Sequence, residues 1–175
     1  MKLLFTTVLL FVSIVLWVQA QEYVCMPCGQ TCDNVVHNKP GTCSTCHMKL
    51  VLKSSLQFEN LTADDFCKRI ADNPEAILLD VRSKAEFEGR GMRNTYGHFN
   101  NAININIDEL EKRLSELAAY KDREILVYCS HSVRSPRAAI LLNNQGFKNV
   151  KNLDRGVSAI NPNTACMKTN FKIHE

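Results

Sequence analysis

Short apolar runs alternate with amphipathic segments from Phe58 onward. Residues 76–79 and 125–128 are continuous apolar runs, which are typical of strands buried on both faces of a sheet. Apolar stripes at helical spacing follow Thr62 and Asp108, which are residue types that begin helices, and Ser135-Pro136 suits the first turn of a further helix. Further strand candidates lie at residues 102–107 and 148–153. The alternation predicts an α/β domain of about 100 residues with a parallel sheet flanked by helices.

The first residues form a separate apolar segment. Lys2 precedes a run that is almost entirely apolar as far as Val18, and Ala20 offers a small residue for a signal peptidase. A bilayer span takes roughly 20 apolar residues, so this run is short for one. We therefore expect residues 1–20 to be a signal peptide cut after Ala20, with an uncleaved anchor as the alternative. The mature protein is expected to be periplasmic or secreted and to have no membrane attachment.

The chain after the signal segment divides by composition. Residues 21–53 are polar, rich in turns and without helical periodicity, and they contain five of the eight cysteines. The segment has too few large apolar residues to form a core. An interaction other than apolar burial must therefore stabilise its fold. The predicted organisation is a small Cys-rich domain at 21–53, an α/β domain at 58–162 and a tail at 163–175.

The loop after the strand that ends at Tyr128 has the features of a reactive site. It contains Cys129 and polar residues up to Arg134, and a helix follows it. Backbone N–H groups of a curled loop and of a helix N-terminus point at anions, and they lower the pKa of a thiol placed among them. Arg134 adds a fixed positive charge. This arrangement suits a nucleophilic thiolate, and the alternative is a buried structural cysteine.

Several separated motifs resemble the rhodanese family. They are Leu79-Asp80-Val81-Arg82, Glu86-Phe87, residues 97–104, the Cys129 to Arg134 loop and residues 135–139. The resemblance implies a sulfurtransferase in which Cys129 carries a persulfide and Arg134 assists it. It also implies that the loop backbone binds the transferred sulfur and the anionic donor, while two residues from a neighbouring strand end brace the loop. The loop residues are Ser130, His131, Ser132, Val133 and Ser135, and the bracing residues are Asp80 and Arg82.

Loop length separates sulfur transfer from phosphate chemistry. Four residues lie between Cys129 and Arg134, and the related dual-specificity phosphatases and arsenate reductases carry one more. The smaller ring is sized for a sulfur atom, which favours the sulfurtransferase.

One departure from the family pattern concerns the turn after the last strand, where the family commonly has a Gly-Gly pair and an aromatic residue. Here Arg155 stands at the first glycine and Ile160 at the aromatic position.

The crowded cysteines predict a metal site. Cys25 and Cys28 form one Cys-x-x-Cys pair, Cys43 and Cys46 form another, and 14 residues separate the pairs. Four such thiolates suit zinc or another soft metal ion. The segment resembles the small heavy-metal-binding domain found beside metal-handling proteins, a family that often has His in place of Cys28. The spare donors Cys32, His37, His47 and Met48 are interpreted as bystanders. A disulfide-stapled knot is the alternative, and Cys67 and Cys166 are a further possible disulfide pair.

The sequence thus predicts an exported enzyme. It would move sulfane sulfur from a small anionic donor, thiosulfate or a persulfide, to a thiol, cyanide or protein acceptor, with no cofactor for catalysis. The alternative function is a metal-binding or metal-delivery protein whose rhodanese domain is a docking module. The net charge of +3, with no basic patch, does not favour nucleic acid as a partner.

Overall fold

The fold was analysed in a computed structural model, which describes residues 20–28, 30–56, 58–90 and 97–172. The expected signal peptide, apart from Ala20, lies outside the described residues. Across the described ranges, no helix combines the length and the apolar character needed to cross a membrane.

The Cys-rich segment contains a small antiparallel sheet. Strands β1 (Tyr23–Val24), β2 (Val36–His37) and β3 (Val51–Leu52) are arranged in the order β2-β1-β3. The buried residues of this region are Val24, Cys25, Cys32, Cys43 and Leu50. Sulfur therefore takes up much of the interior that apolar side chains occupy in an ordinary domain, as the composition predicted.

A five-stranded parallel sheet organises the rest of the chain. Its strands are β4 (Glu59–Leu61), β5 (Ile77–Asp80), β7 (Ile103–Asn104), β8 (Glu124–Tyr128) and β9 (Asn149–Leu153), in the order β4-β9-β8-β5-β7. Strand β6 (His98–Phe99) lies outside this sheet and pairs antiparallel with β10 (Phe171–Lys172). Strand β8 is central, and every one of its residues is buried, which confirms the expectation from its apolar run.

Helices cover both faces of the sheet. They are α1 (Ala63–Asp72), α2 (Lys84–Phe87), α3 (Ile107–Leu110), α4 (Arg134–Asn144) and α5 (Ala165–Asn170), and 3-10 turns continue α3 over Glu111–Tyr120. Side chains alternate along β8, so that Ile125 and Val127 pack on the face with α3 and α4. Leu126 and Tyr128 pack on the opposite face, with Phe66 of α1. The predicted α/β class is confirmed.

Three local predictions differ from the structure. The strand expected at residues 102–107 is limited to Ile103–Asn104. The helix expected to start at Asp108 begins at Ile107, because the Asn106 side chain accepts the N–H of Asp108 and caps the helix. The tail expected to be merely polar forms α5 and β10. This segment is also joined to α1 by a disulfide between Cys67 and Cys166, as the sequence had left possible.

The disulfide gives the first testable expectation. Replacing both Cys67 and Cys166 by Ala should lower the free energy of unfolding by about 2–4 kcal/mol, because a cross-link restricts the unfolded chain. Urea unfolding would measure the change. As a control, reductant should destabilise the native chain but leave the double variant unaffected. Equal stability of the oxidised native chain and the variant would contradict the expectation.

Candidate functional site

The Cys129 loop connects the carboxyl end of β8 to the start of helix α4. Cys129 itself is 1% exposed, and its Sγ accepts a hydrogen bond from Ser135 Oγ at 3.3 Å. His131 is exposed, whereas Ser130 and Ser135 are buried. Ser132 adopts a φ of +56°, the left-handed conformation that curls the loop back toward the helix. The sulfur therefore lies at the base of a tight loop.

The surroundings of Cys129 favour its thiolate. Burial by itself would raise the pKa of this thiol, but the Ser135 hydroxyl and the backbone N–H groups of Ser135, Arg134 and His131 donate hydrogen bonds to the sulfur. Their effect is the larger one, so the pKa of Cys129 lies below its ordinary value. The amide cradle inferred from the sequence is thus present around this sulfur.

Arg134 is held by a carboxylate that the sequence analysis did not include among the site residues. Glu86 accepts two parallel hydrogen bonds from Arg134, at 2.6 and 2.7 Å, and a third from Ser130 Oγ at 3.0 Å. The bonds from Arg134 are the main reason that the pKa of Glu86 lies far below its usual range. Glu86 also closes a reciprocal cap with Ser83 at the start of α2. That Ser-x-x-Glu spacing is the sequence signal that identifies a fixed carboxylate here.

Asp80 and Arg82 form a fully buried ion pair at the end of β5. The closest pair of atoms is Arg82 Nη2 and Asp80 Oδ2, at 2.5 Å, and the same nitrogen donates to the carbonyl of Gly97 at 2.7 Å. The guanidinium also lies over the Tyr128 ring, with its central carbon 5.6 Å from the ring centroid. The pair therefore contacts the last residue before Cys129 and fixes the neighbouring strand end.

The turn after β9 supports the loop from behind. Val157 N–H donates to the carbonyl of Cys129 at 3.0 Å, and Ser158 N–H donates to that of Ser130 at 3.1 Å. Gly156 comes so close that an added Cβ would lie 2.4 Å from Ser130 carbonyl atoms. Arg155 adopts a φ of +56°, a conformation that glycine reaches at lower cost. Arg155 thus adopts the left-handed conformation at the position where the sequence analysis expected the family's first glycine.

The thiol cluster has a different membership from the predicted one. The sulfurs of Cys25, Cys32, Cys43 and Cys46 all lie within 4.8 Å of one another and could hold a metal ion. Cys28, which the spacing placed in this group, instead lies beside Cys32 and Asp33. The 3-10 helix Thr31–Asn34 explains the difference, because it turns Cys32 inward while Cys28 Sγ donates to Asp33 Oδ1 at 3.0 Å.

The donor chemistry of the four-sulfur group fits a soft metal ion. Cys25 Sγ and Cys46 Sγ are 3.6 Å apart, and two sulfurs on one tetrahedral zinc ion at about 2.3 Å would lie about 3.8 Å from each other. Thr45 N–H donates to Cys43 Sγ at 3.4 Å, so a backbone amide supports a sulfur of the second Cys-x-x-Cys pair. Among the described residues, the candidate functional sites are therefore the Cys129 loop and this four-sulfur group.

Similarity to known proteins agrees with the observed fold. The Rhodanese-like domain family matches residues 62–162, and the chain belongs to that family. A Rhodanese-like domain protein from Staphylococcus aureus has the same fold, with a TM-score of 0.50 and 22% identity over 58% of this chain and 90% of that chain. A structure of thiosulfate sulfurtransferase from Pseudomonas aeruginosa is 27% identical, with a TM-score of 0.48, and covers 58% of this chain and 18% of that chain.

Curated relatives are much longer than the shared region. A tRNA uridine(34) hydroxylase from Cronobacter sakazakii is 31% identical over 90 residues, which are 49% of this chain and 24% of the relative. The chain therefore spans about a quarter of the length of that relative. The family match covers residues 62–162 and does not include the Cys-rich segment.

Two glycines offer a matched test of the support behind Cys129. Gly156→Ala should lower the free energy of unfolding by about 1–3 kcal/mol more than Gly146→Ala, because its Cβ would collide with backbone. Both glycines have positive φ, but nothing lies within 4 Å of a Cβ added at Gly146. Gly146→Ala should cost only the strain of the left-handed conformation, about 1–2 kcal/mol. Urea unfolding measures both, and equal losses would refute a close packing role for Gly156.

Glu86→Gln tests the ion pair with Arg134. At pH 7 it should lower the free energy of unfolding by about 1.5–3 kcal/mol, the range for hydrogen bonds to charged groups. Because folding lowers the pKa of Glu86 from 4.5, its contribution is present above that value and is lost as the pH falls toward the folded pKa. The difference in free energy of unfolding between the native chain and Glu86→Gln should therefore become smaller below about pH 4.5.

An exposed pair provides the control for Glu86. Arg113 also makes two hydrogen bonds to Glu116, at 2.6 and 2.9 Å, but these side chains are 37% and 49% exposed. Glu116→Gln should therefore lower the free energy of unfolding at pH 7 by less than Glu86→Gln does, because solvent screens an exposed pair. Urea unfolding from pH 7 to pH 3 would measure both variants. Equal losses for the two variants would contradict a special role for Glu86.

Proposed function

We propose that this chain is an exported sulfurtransferase that carries sulfane sulfur as a persulfide on Cys129. The observation that carries the proposal is the position of the Cys129 sulfur among the Ser135 hydroxyl and the N–H groups of the loop. The thiolate is the attacking form in sulfur transfer, and these donors favour it over the thiol. The donor would be thiosulfate or a persulfide, and the acceptor a thiol, cyanide or a protein.

The reaction consists of two displacements at sulfur. In the first, the Cys129 thiolate attacks the outer sulfur of thiosulfate, a new S–S bond forms, and the old S–S bond breaks as sulfite leaves with the electron pair. In the second, a thiolate or cyanide attacks the outer sulfur of the persulfide. The Cys129 thiolate then leaves with its electron pair, and the product is a new persulfide or thiocyanate. No net oxidant is needed.

In this proposal the loop binds anions, and Glu86 fixes the position of Arg134. The N–H groups of His131, Arg134 and Ser135 that surround the sulfur are fixed dipoles, so they stabilise negative charge on the sulfur without rearranging. Arg134 is anchored through its two hydrogen bonds to Glu86, which keeps its guanidinium at the rim of the loop. In this proposal the amides bind the transferred sulfur, and Arg134 attracts the anionic donor.

Export is supported by two independent features. The apolar segment before Ala20 has the pattern of a signal peptide. The disulfide between Cys67 and Cys166 is of a kind that persists in oxidising compartments and is rare in the cytosol. The proposed location is therefore the periplasm or the extracellular space.

The alternative function is metal binding or delivery, with the rhodanese-like domain as a docking module. It is favoured by the group of four sulfurs from Cys25, Cys32, Cys43 and Cys46, which could hold zinc or another soft ion. The segment has little other interior, so a bound ion would also stabilise its fold. Under this alternative the chain would contain stoichiometric metal and transfer little sulfur.

Intact mass measurement separates the two functions. The chain from Gln21 to Glu175 would be reduced under argon, loaded with zinc and weighed under denaturing conditions before and after thiosulfate treatment. We expect a gain of one sulfur atom that cyanide removes and that Cys129→Ser abolishes, because only the Cys129 thiolate is held in the amide cradle.

The control is Ser44→Ala, which leaves the Cys129 loop intact and should gain sulfur as the native chain does. No gain of sulfur in the zinc-loaded native chain would refute the sulfurtransferase and leave the metal-binding function. A gain that persists in Cys129→Ser would place the reactive thiol elsewhere.

A further inference from the structure

We infer that the Cys-rich segment binds two metal ions rather than one, in a closed site and an open site that share Cys32. The closed site consists of Cys25, Cys32, Cys43 and Cys46. The open site consists of Cys28, Cys32 and Asp33. This inference rests on the proposed binding of metal by the cluster, and it adds a second site that could exchange its ion.

The closed site has the composition of a structural zinc centre. Its four sulfurs lie within 4.8 Å of one another, and three of the four cysteines are buried. Cys25 and Cys43 are each only 2% exposed and Cys32 is 3% exposed. Four thiolates complete the tetrahedral coordination of zinc, so no position remains for water or for an incoming ligand. An ion bound there would stabilise the segment.

The open site is a second set of donors on the outer side of Cys32. Cys28 Sγ lies 3.5 Å from Cys32 Sγ and 3.0 Å from Asp33 Oδ1, and the three donor atoms lie within 4.8 Å of one another. Cys28 and Asp33 are partly exposed, whereas Cys32 is buried. Cys32 is thus the only member common to both sets of donors found among the described residues.

The donor types determine which ions the open site would hold. A thiolate sulfur has enough lone pairs to contact two ions, so Cys32 can serve both sites. Two sulfurs and one carboxylate are three protein ligands, which leaves a fourth position for water or another ligand, as in zinc sites that are not closed. The Asp33 oxygen favours zinc over copper(I), because copper(I) prefers soft sulfur ligands.

Charge gives a physical reason for the second ion. Four thiolates around one divalent ion leave excess negative charge, and the Asp33 carboxylate lies immediately beside that centre. A second divalent cation between Cys28, Cys32 and Asp33 would offset this charge at short range. On binding, the ion would take the place of the Cys28 thiol proton that now points at Asp33 Oδ1, and the proton would pass to solvent.

The two sites would have different roles. The closed ion would hold the fold and exchange slowly, because all of its ligands are protein sulfurs. The open ion would have one position available to an external thiol, so it could leave by ligand exchange while the fold persists. This division would give the segment a deliverable metal ion of the thiol-seeking class.

Zinc stoichiometry tests the inference. The chain from Gln21 to Glu175, with Cys129→Ser to remove the loop thiol, would be reduced under argon, titrated with zinc and weighed by native mass spectrometry. We expect two zinc ions per chain. Asp33→Asn and Cys28→Ser should each bind one, because each removes a ligand of the open site alone. Glu22→Gln should keep two, since this carboxylate pairs with Lys53 in the same segment.

Cadmium NMR tests the shared ligand. With cadmium-113 in place of zinc, the two ions should give two resonances that are split by scalar coupling through the Cys32 sulfur. Asp33→Asn should retain one resonance without splitting. Two resonances without coupling would overturn the shared position of Cys32.

The outcomes distinguish the two proposals. One zinc ion in the parent chain would overturn the open site while leaving metal binding by the cluster in place. No zinc would overturn both. Two ions that persist in Asp33→Asn and Cys28→Ser would overturn the location, because the second ion would then bind elsewhere.

Discussion

The candidate active site depends on hydrogen bonds between the turn after β9 and the loop after β8. Val157 and Ser158 donate to the carbonyls of Cys129 and Ser130, so both carbonyl oxygens have hydrogen-bond partners on the neighbouring turn. The N–H groups further along the loop can then converge on Cys129. Gly156 allows this contact because any side chain atom at its position would overlap the backbone of Ser130. The chemistry of the thiol is therefore set by main-chain geometry that two adjacent parallel strands bring together.

Local patterns were sufficient for the framework of the fold. The apolar run of β8 predicted a buried strand, and the polar residues after it correctly placed Cys129 between a strand end and a helix. The role of Glu86 was harder to infer, because its partner Arg134 is 48 positions away. Only the pairing of β5 with β8 brings the two together. The spacing of residues along the sequence does not show that Glu86 and Arg134 are close in space.

The cysteine cluster shows a different limit of sequence analysis. The Cys-x-x-Cys spacing correctly indicated a group of sulfurs, but it could not distinguish Cys28 from Cys32. That choice follows from the 3-10 turn at Thr31–Asn34 and from the hydrogen bond between Cys28 and Asp33.

The structure of the C-terminal tail was also missed, since β10 is only two residues long and pairs with an equally short β6. Such pairings are determined by tertiary packing and leave no periodic signal.

Environment rather than residue type gives the cysteines their different chemistry. Cys129 packs on the face of the sheet that carries α3 and α4, whereas Cys67 and Cys166 pack on the opposite face. The sheet therefore separates the candidate nucleophile from the disulfide. The disulfide also closes residues 67–166 into a covalent ring that includes Cys129. A single backbone cleavage within that ring would leave one connected molecule, heavier by one water, so a nicked rhodanese-like domain would separate into fragments only after reduction.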